Sequence, residues 1–258
     1  MSQPTELFDL TGKVAIVTGS TKGLGRAMVE AMSAAGASVV VSSRKQDLCD
    51  EVAEEVRAAT DGEVLPLACH VGDWDAIPGF VDAVVGRFGT IDVLVNNAGI
   101  NPAPVKVADM PLELWRKIFT VNLEGPLRMS QCVAPVMRDH GGGSIVHIGT
   151  MGAYYAGPDS VAYGASKAAL RNLTVTMAVD WAPWKVRVNM LSPGPFMSEM
   201  MRGADRAKPG FIEMVASSNA MKRIADPREI VGPVLYLASD ASSYVTGDDM
   251  TVSGGMRK

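Results

Sequence analysis

Cysteine is scarce in this chain, and the little there is cannot organise a fold. Cys49, Cys69 and Cys132 are odd in number and far apart. That excludes a disulfide framework or a zinc cluster and fits reduced thiols in a cytoplasmic protein. The three histidines have no partners at metal-ligand spacing, so no metal is expected. No apolar stretch reaches the roughly 18–20 residues that span a bilayer, which argues against a membrane partner. An excess of one charge is missing too: 24 basic and 28 acidic side chains are well mixed, leaving no basic stripe for nucleic acid. The opening MSQPTELFDLTGK puts two acids before its first base and has no long apolar core, unlike a signal peptide. Repeats, linkers and low-complexity segments are also lacking.

What is there is 258 residues, 47% of them hydrophobic, enough for one sizeable core. Short apolar runs recur from end to end: Val14–Val17, Ser38–Val41, Val64–Leu67, Ile91–Val95, Ile145–Ile148, Val186–Leu191 and Met250–Val252. They are continuous rather than alternating, as strands covered on both faces are. Helix-like segments lie between them: Arg26–Ala35 stopped by Gly36, a face through Leu48, Val52 and Val56, and another through Phe80, Val84 and Phe88. The triple glycine Gly141–Gly143 reads as a helix stop before the fifth strand. This alternation predicts an α/β fold, a single-domain, Rossmann-like, doubly wound parallel sheet of about seven strands with helices on both faces.

Such sheets bind ligands in the crevice at the carboxyl ends of their strands. The chemically suggestive residues fall there: Gly19–Gly25 after the first strand, Arg44 after the second, Asn96–Gly99 after the fourth, Thr150 after the fifth and Pro193-Gly194 after the sixth. Gly19 permits a turn that other residues resist, and Gly23 and Gly25 let main chain approach a pyrophosphate at a helix N-terminus. Alone, this Gly-x-x-x-Gly-x-Gly spacing is as readily a tight strand-to-helix connection. No acid ends the second strand; Ser43 and Arg44 stand where a carboxylate would accept hydrogen bonds from a free ribose hydroxyl. Arg44 offers a planar donor fork for phosphate, and Lys22 a second positive charge. Either cation alone reads as a solvated surface charge. Together, with no competing acid, they favour NADP(H) over NAD(H).

Tyr163 and Lys167, four residues apart in VAYGASKAAL, place a phenol and an ammonium on one helix face. With TGSTKGLG (Thr18–Gly25), Asn96-Asn97-Ala98-Gly99, Asn122 and Pro193-Gly194, they resemble the short-chain dehydrogenase/reductase family, from about Lys13 to Gly255. Lys22 and Arg44 look like its NADP-preferring branch, and VVVSSRKQ with ACHVGD is similar to its carbonyl and retinol reductases. The resemblance implies a cofactor site built from Gly19, Thr21, Lys22, Gly23, Leu24, Gly25, Ser43, Arg44, His70, Val71, Asn97, Ala98, Gly99, Tyr163, Lys167, Pro193, Gly194, Phe196 and Ser198. It implies a catalytic set of Asn122, Thr150, Tyr163 and Lys167.

In that chemistry a carbonyl receives a hydride, and Tyr163 supplies the proton, or removes it when the reaction runs toward oxidation. A free phenol has a pKa of about 10, so an effective base near neutrality needs it lowered by roughly three units, about 4 kcal/mol. Lys167, together with the cofactor's positive nicotinamide, is expected to contribute that field and to bind the nicotinamide ribose, with Asn122 holding a water that links Lys167 to solvent. Thr150, thirteen residues before Tyr163, departs from the family's usual serine. It keeps the hydroxyl but adds a methyl that stiffens χ1, and Gly149 is expected to give it room. His147, inside an apolar strand, reads as a buried, satisfied histidine, whereas His70 is expected near the adenine.

Substrate contacts are expected from Met151–Asp159 and from a lid at about 195–221, with Thr150, Tyr154, Tyr155 and Met200 as candidates. The lid's methionines suit an adaptable apolar pocket, so the expected partner is a small, mainly apolar ketone or aldehyde, or the corresponding alcohol. A 3-oxoacyl thioester is the enzymatic alternative, met by Arg202, Arg206 and Lys208. A catalytically weak NADP-binding sensor or scaffold is the non-enzymatic one, disfavoured because acid, lysine, asparagine and hydroxyl are all retained. By resemblance the chain forms a homotetramer, or a homodimer, through helices around Leu112–Met137 and Val161–Trp181.

Overall fold

The structure, a computed structural model, describes residues 6–60, 62–102, 104–155 and 160–256. Seven strands, β1 (Val14–Thr18), β2 (Ser38–Ser42), β3 (Val64–Pro66), β4 (Val93–Asn96), β5 (Gly143–Ile148), β6 (Val186–Pro193) and β7 (Asp249–Val252), form one sheet in the order β3-β2-β1-β4-β5-β6-β7. Every pairing is parallel. The helices are α1 (Gly23–Ala34), α2 (Gln46–Ala59), α3 (Ala76–Phe88), α4 (Leu112–Phe119), α5 (Gly125–Asp139), α6 (Val161–Trp181), α7 (Glu199–Ala207), α8 (Phe211–Ser217) and α9 (Val231–Ala238). All seven expected strands are present, shifted by a residue or two at their ends.

The continuous apolar runs follow from two covered faces. Ala15 and Val17 of β1 pack with Met28 of α1 and Val234 of α9, whereas Val14 and Ile16 pack with Val81 of α3, Val133 of α5 and Met177 of α6. Each such side chain is worth about 1.5–3 kcal/mol on burial, so neither face can turn polar. Gly141 and Gly142, both at positive φ, end α5 and feed β5. A Cβ on Gly142 would lie 2.5 Å from the Lys185 carbonyl oxygen.

Two departures from regularity bear on the site. Helix α1 begins at Gly23, inside the glycine motif, rather than at Arg26. Its unpaired N–H groups therefore belong to the motif itself. Between α4 and α5 the chain makes one π-helical turn, Thr120–Glu124, with the Gly125 N–H donating to the Thr120 carbonyl. Among the described residues no helix is long and apolar enough to cross a membrane, and no group of three His, Cys, Asp or Glu could hold a metal.

Candidate active site

The strand order places β1 and β4 side by side at the point where connections diverge to left and right, and the glycine turn opens there. Gly19 (φ +68°) and Gly23 (φ +58°) are left-handed, a region costing other residues about 1–2 kcal/mol. Nothing lies within 4 Å of a Cβ built on Gly23, so backbone conformation and open space, not packing, call for glycine there. Gly25 is the opposite case: a Cβ would lie 2.3 Å from the Gly19 carbonyl oxygen and 2.5 Å from Asn97 Nδ2. The turn is stitched down on both sides. Asn97 Nδ2 donates to the carbonyls of Thr18 (2.8 Å) and Gly19 (3.1 Å). The Thr18 hydroxyl accepts from the Asn97 and Ala98 N–H groups. Ser20 pairs with the main chain of Ser42 at the end of β2. This left-handed cradle beside a helix N-terminus fits a dinucleotide pyrophosphate.

Next to it, Ser43 bonds Lys45 and Cys49, while Arg44 and Lys22 are exposed. Neither cation forms an ion pair among the described residues. His70 is exposed and its Nδ1 accepts from the Gly72 N–H. Val71 is a core side chain. Leu24 packs against the opposite core layer, and Thr21 is half-buried.

Across the crevice, β5 ends at Ile148 and α6 brings Tyr163 and Lys167 over it. Lys167 is only 2% exposed, and its Nζ donates to the Ile148 carbonyl at 2.7 Å. Burial pulls its pKa down to about 8, so it stays mostly cationic at neutral pH. Asn122, on the π turn, is fully buried: its Oδ1 accepts from the Ile100 N–H (2.8 Å), and its Nδ2 donates to the Ile100 carbonyl and to Ser166 Oγ. A Cβ on Gly99 would lie 3.4 Å from Asn122 Oδ1 and 3.6 Å from Lys167 Nζ. The ends of both side chains therefore lie against Gly99.

Thr150 is in hydrogen-bond contact with Tyr163, and its Oγ1 also accepts from the Gly152 N–H at 3.1 Å. Burial pushes the Tyr163 phenol above its ordinary value, opposed by that Thr150 bond. Desolvation is the larger of the two effects. Gly149 has a different reason from making room for Thr150: a Cβ there would lie 2.4 Å from Ser192 Oγ and 2.8 Å from Met190 Sδ.

His147 is fully buried between Ser130 and Thr174, at 3.2 and 2.8 Å, and burial takes its pKa down to about 3. It is a neutral bridge from β5 to α5 and α6. Pro193 ends β6, and Gly194 lies so close to β7 that a Cβ would sit 2.7 Å from Ser253 Cα. Phe196 is a core residue, leaving main chain as what it can offer a cofactor. Ser198 caps α7, accepting from the Met201 N–H. Tyr154 turns its hydroxyl to Asp249 at 2.5 Å. Tyr155 is exposed and borders a cavity of about 450 Å³ with Asn219, Lys222 and Met256. The Met200 side chain and residues 156–159 lie outside the described set. The Thr18 hydroxyl, the Ile148 carbonyl and Ser166 were not expected. Only Thr18, in the glycine motif, carried a signal.

A family model described as enoyl-(acyl carrier protein) reductase matches residues 19–257. The chain is 36% identical over 258 residues to dehydrogenase/reductase SDR family member 4 of Caenorhabditis elegans, covering 98% of both. It is similar to the crystal structure of a short-chain type dehydrogenase/reductase from Mycobacterium marinum, with 37% identity, a TM-score of 0.92 and coverage of 97% and 98%. It is also similar to a 3-oxoacyl (acyl-carrier-protein) reductase from Agrobacterium tumefaciens with NADP bound, with 30% identity, a TM-score of 0.91 and coverage of 98% and 97%.

Proposed function

Since the chain belongs to the short-chain dehydrogenase/reductase family of oxidoreductases, we propose that it is an NADP(H)-dependent carbonyl reductase of mainly apolar ketones or aldehydes. The observation that carries this reading is the buried Lys167, held on the Ile148 carbonyl two residues before Thr150 and four residues along α6 from Tyr163. A cation this deep is retained against a desolvation cost, and proton-transfer chemistry accounts for it.

Gly19, Gly23 and Gly25 would cradle the pyrophosphate, and Lys22 and Arg44, both without an ion pair among the described residues, would meet a ribose phosphate. When bound, the nicotinamide supplies the hydride. Tyr163 Oη donates its proton to the substrate oxygen as negative charge develops there, and Thr150 Oγ1 holds that oxygen in place. Lys167 stabilises the resulting phenolate, and Asn122, pinned at both ends of its amide to Ile100, orients the lysine's side of the site. Acyl thioesters are a second reading, favoured by the family model and by the reductase from Agrobacterium tumefaciens. Exposed Val175 and Val179 on α6 support self-association into a homotetramer or homodimer.

The test is loss of NADPH absorbance against ketones, aldehydes and 3-oxoacyl thioesters, with NADH and Tyr163→Phe as controls. Turnover with NADPH that falls about 10²–10⁴-fold in Tyr163→Phe, while NADPH affinity is kept, is expected. Equal turnover in the mutant would sink the mechanism, and preference for NADH would sink the cofactor assignment.

A further inference from the structure

Four residues beyond Thr150, three charged or polar groups from distant elements close on one another. Tyr154 sits just after the 3₁₀ turn Met151–Ala153 and donates its hydroxyl to Asp249 Oδ2 at 2.5 Å. Asp249 opens β7, and its carboxylate side chain is only 8% exposed. Arg171, two turns beyond Tyr163 on α6, brings Nε to the same carboxylate oxygen at 3.2 Å and lays its guanidinium 5.0 Å from the Tyr154 ring centroid. Each partner thus touches the other two. Aromatic stacking, a charge-assisted hydrogen bond and an ion pair together fix the ring far more tightly than an exposed pair would.

The loop between Thr150 and Tyr154 has little freedom of its own. The Ala153 N–H donates to the Thr150 carbonyl and the Tyr154 N–H to that of Met151. Met151 is buried, and Gly152 lies against α6, its carbonyl oxygen 3.0 Å from where a Cβ on Gly164 would sit. Gly164 is the neighbour of Tyr163. A ring fixed at Tyr154 therefore fixes Gly152, whose N–H donates to the Thr150 hydroxyl.

We propose that Tyr154, Asp249 and Arg171 form a positioning latch that ties the turn after β5 to β7 and to the catalytic helix, and so sets the Thr150 hydroxyl against Tyr163. This reassigns Tyr154 from substrate contact to positioning residue. A phenol has one proton to donate, and here Asp249 takes it. Burial, and then Asp249, push the phenol up to about 12, so it remains a donor across the working pH range. The inference rests on the carbonyl-reductase reading for its catalytic consequence, but not for its geometry.

A double-mutant cycle on Tyr154→Phe and Asp249→Ala tests it in the full-length protein. Amide hydrogen exchange over residues 150–155, which needs no substrate, should quicken in each single variant and no further in the double, while β1 stays protected. With NADPH and 4-nitrobenzaldehyde, each single variant should lose kcat by about tenfold, keep KM within about twofold, and fail to add in the double variant. A rise in KM at unchanged kcat for Tyr154→Phe, with Asp249→Ala silent, would make Tyr154 a substrate ligand and overturn the latch. Additive effects would overturn it too. Tyr163→Phe run alongside separates the two ideas. If it stays active, the proposed chemistry falls and exchange alone judges the latch; if it is dead while both latch variants match wild type, the latch alone falls.

Discussion

The two sides of the crevice are built from different material. After β1, β2 and β4 the site is mostly main chain: left-handed glycines, a helix that starts inside the turn, and carbonyls held by Asn97. After β5 it is mostly side chain: buried Lys167 and His147, and half-buried Tyr163 and Thr150, placed by α6 and the end of β5. A cradle made of backbone costs little desolvation, because its N–H groups are the ordinary orphans of a helix start. A cluster of titratable side chains is costly to hold, and its pKa values record the cost: about 8 for Lys167 and about 3 for His147.

The largest effect that sharpens this contrast is expected from Lys167→Met. It should abolish turnover and yet stabilise the protein. The folded pKa of about 8 lies below the ordinary 10.5, so the unfolded chain holds a proton more readily. The burial penalty is fully present below pH 8, about 3 kcal/mol, and fades as pH rises to the unfolded value. Urea unfolding at pH 7 and pH 10 checks it; a destabilised variant at pH 7 would refute the cost. Gly25→Ala attacks the other side. Its Cβ would meet main chain at 2.3 Å, costing about 1–3 kcal/mol and weakening NADPH binding by about tenfold or more, read by fluorescence titration. Unchanged affinity would mean the cradle is not the cofactor site.

His147→Gln should act on acid stability alone. Between pH 6.5 and about 3 the unfolded chain takes up a proton that the folded chain refuses. Wild type therefore loses stability as pH falls, by up to about 1.4 kcal/mol per pH unit, and the variant should show a flatter slope between pH 6 and 4. The smallest effect belongs to Thr150→Ser, which keeps the hydroxyl bonded to Gly152. It should change kcat/KM by less than about fivefold, about 1 kcal/mol. A larger gain would show that the methyl crowds the substrate oxygen.

The same contrast decides what could be read beforehand. The central strands, buried on both faces, write unbroken apolar runs; the half-exposed β3 and β7 were legible as short apolar stretches, and the glycine turn was legible because its geometry is encoded in consecutive letters. Lys167's acceptor was not, since a carbonyl carries no side-chain signature and Ile148 looks like any core residue. Gly149 looked like room for Thr150; its real constraint comes from Ser192 and Met190 on the neighbouring strand, a pairing visible only in three dimensions. Tyr154 looked like a substrate contact because its partner Asp249 lies 95 residues away.

The π turn at Thr120–Glu124 has a consequence for chain length. Where an α-helix closes its ring after four residues, this turn closes after five, the Gly125 N–H reaching back to Thr120. Losing one residue there would let α4 run into α5 as an unbroken rod, swinging one half about 100° around the axis relative to the other. Asn122 would then leave Ile100 and Lys167 behind without any letter of the catalytic set having changed. This stretch should accept many substitutions on its outer face, but not a single insertion or deletion.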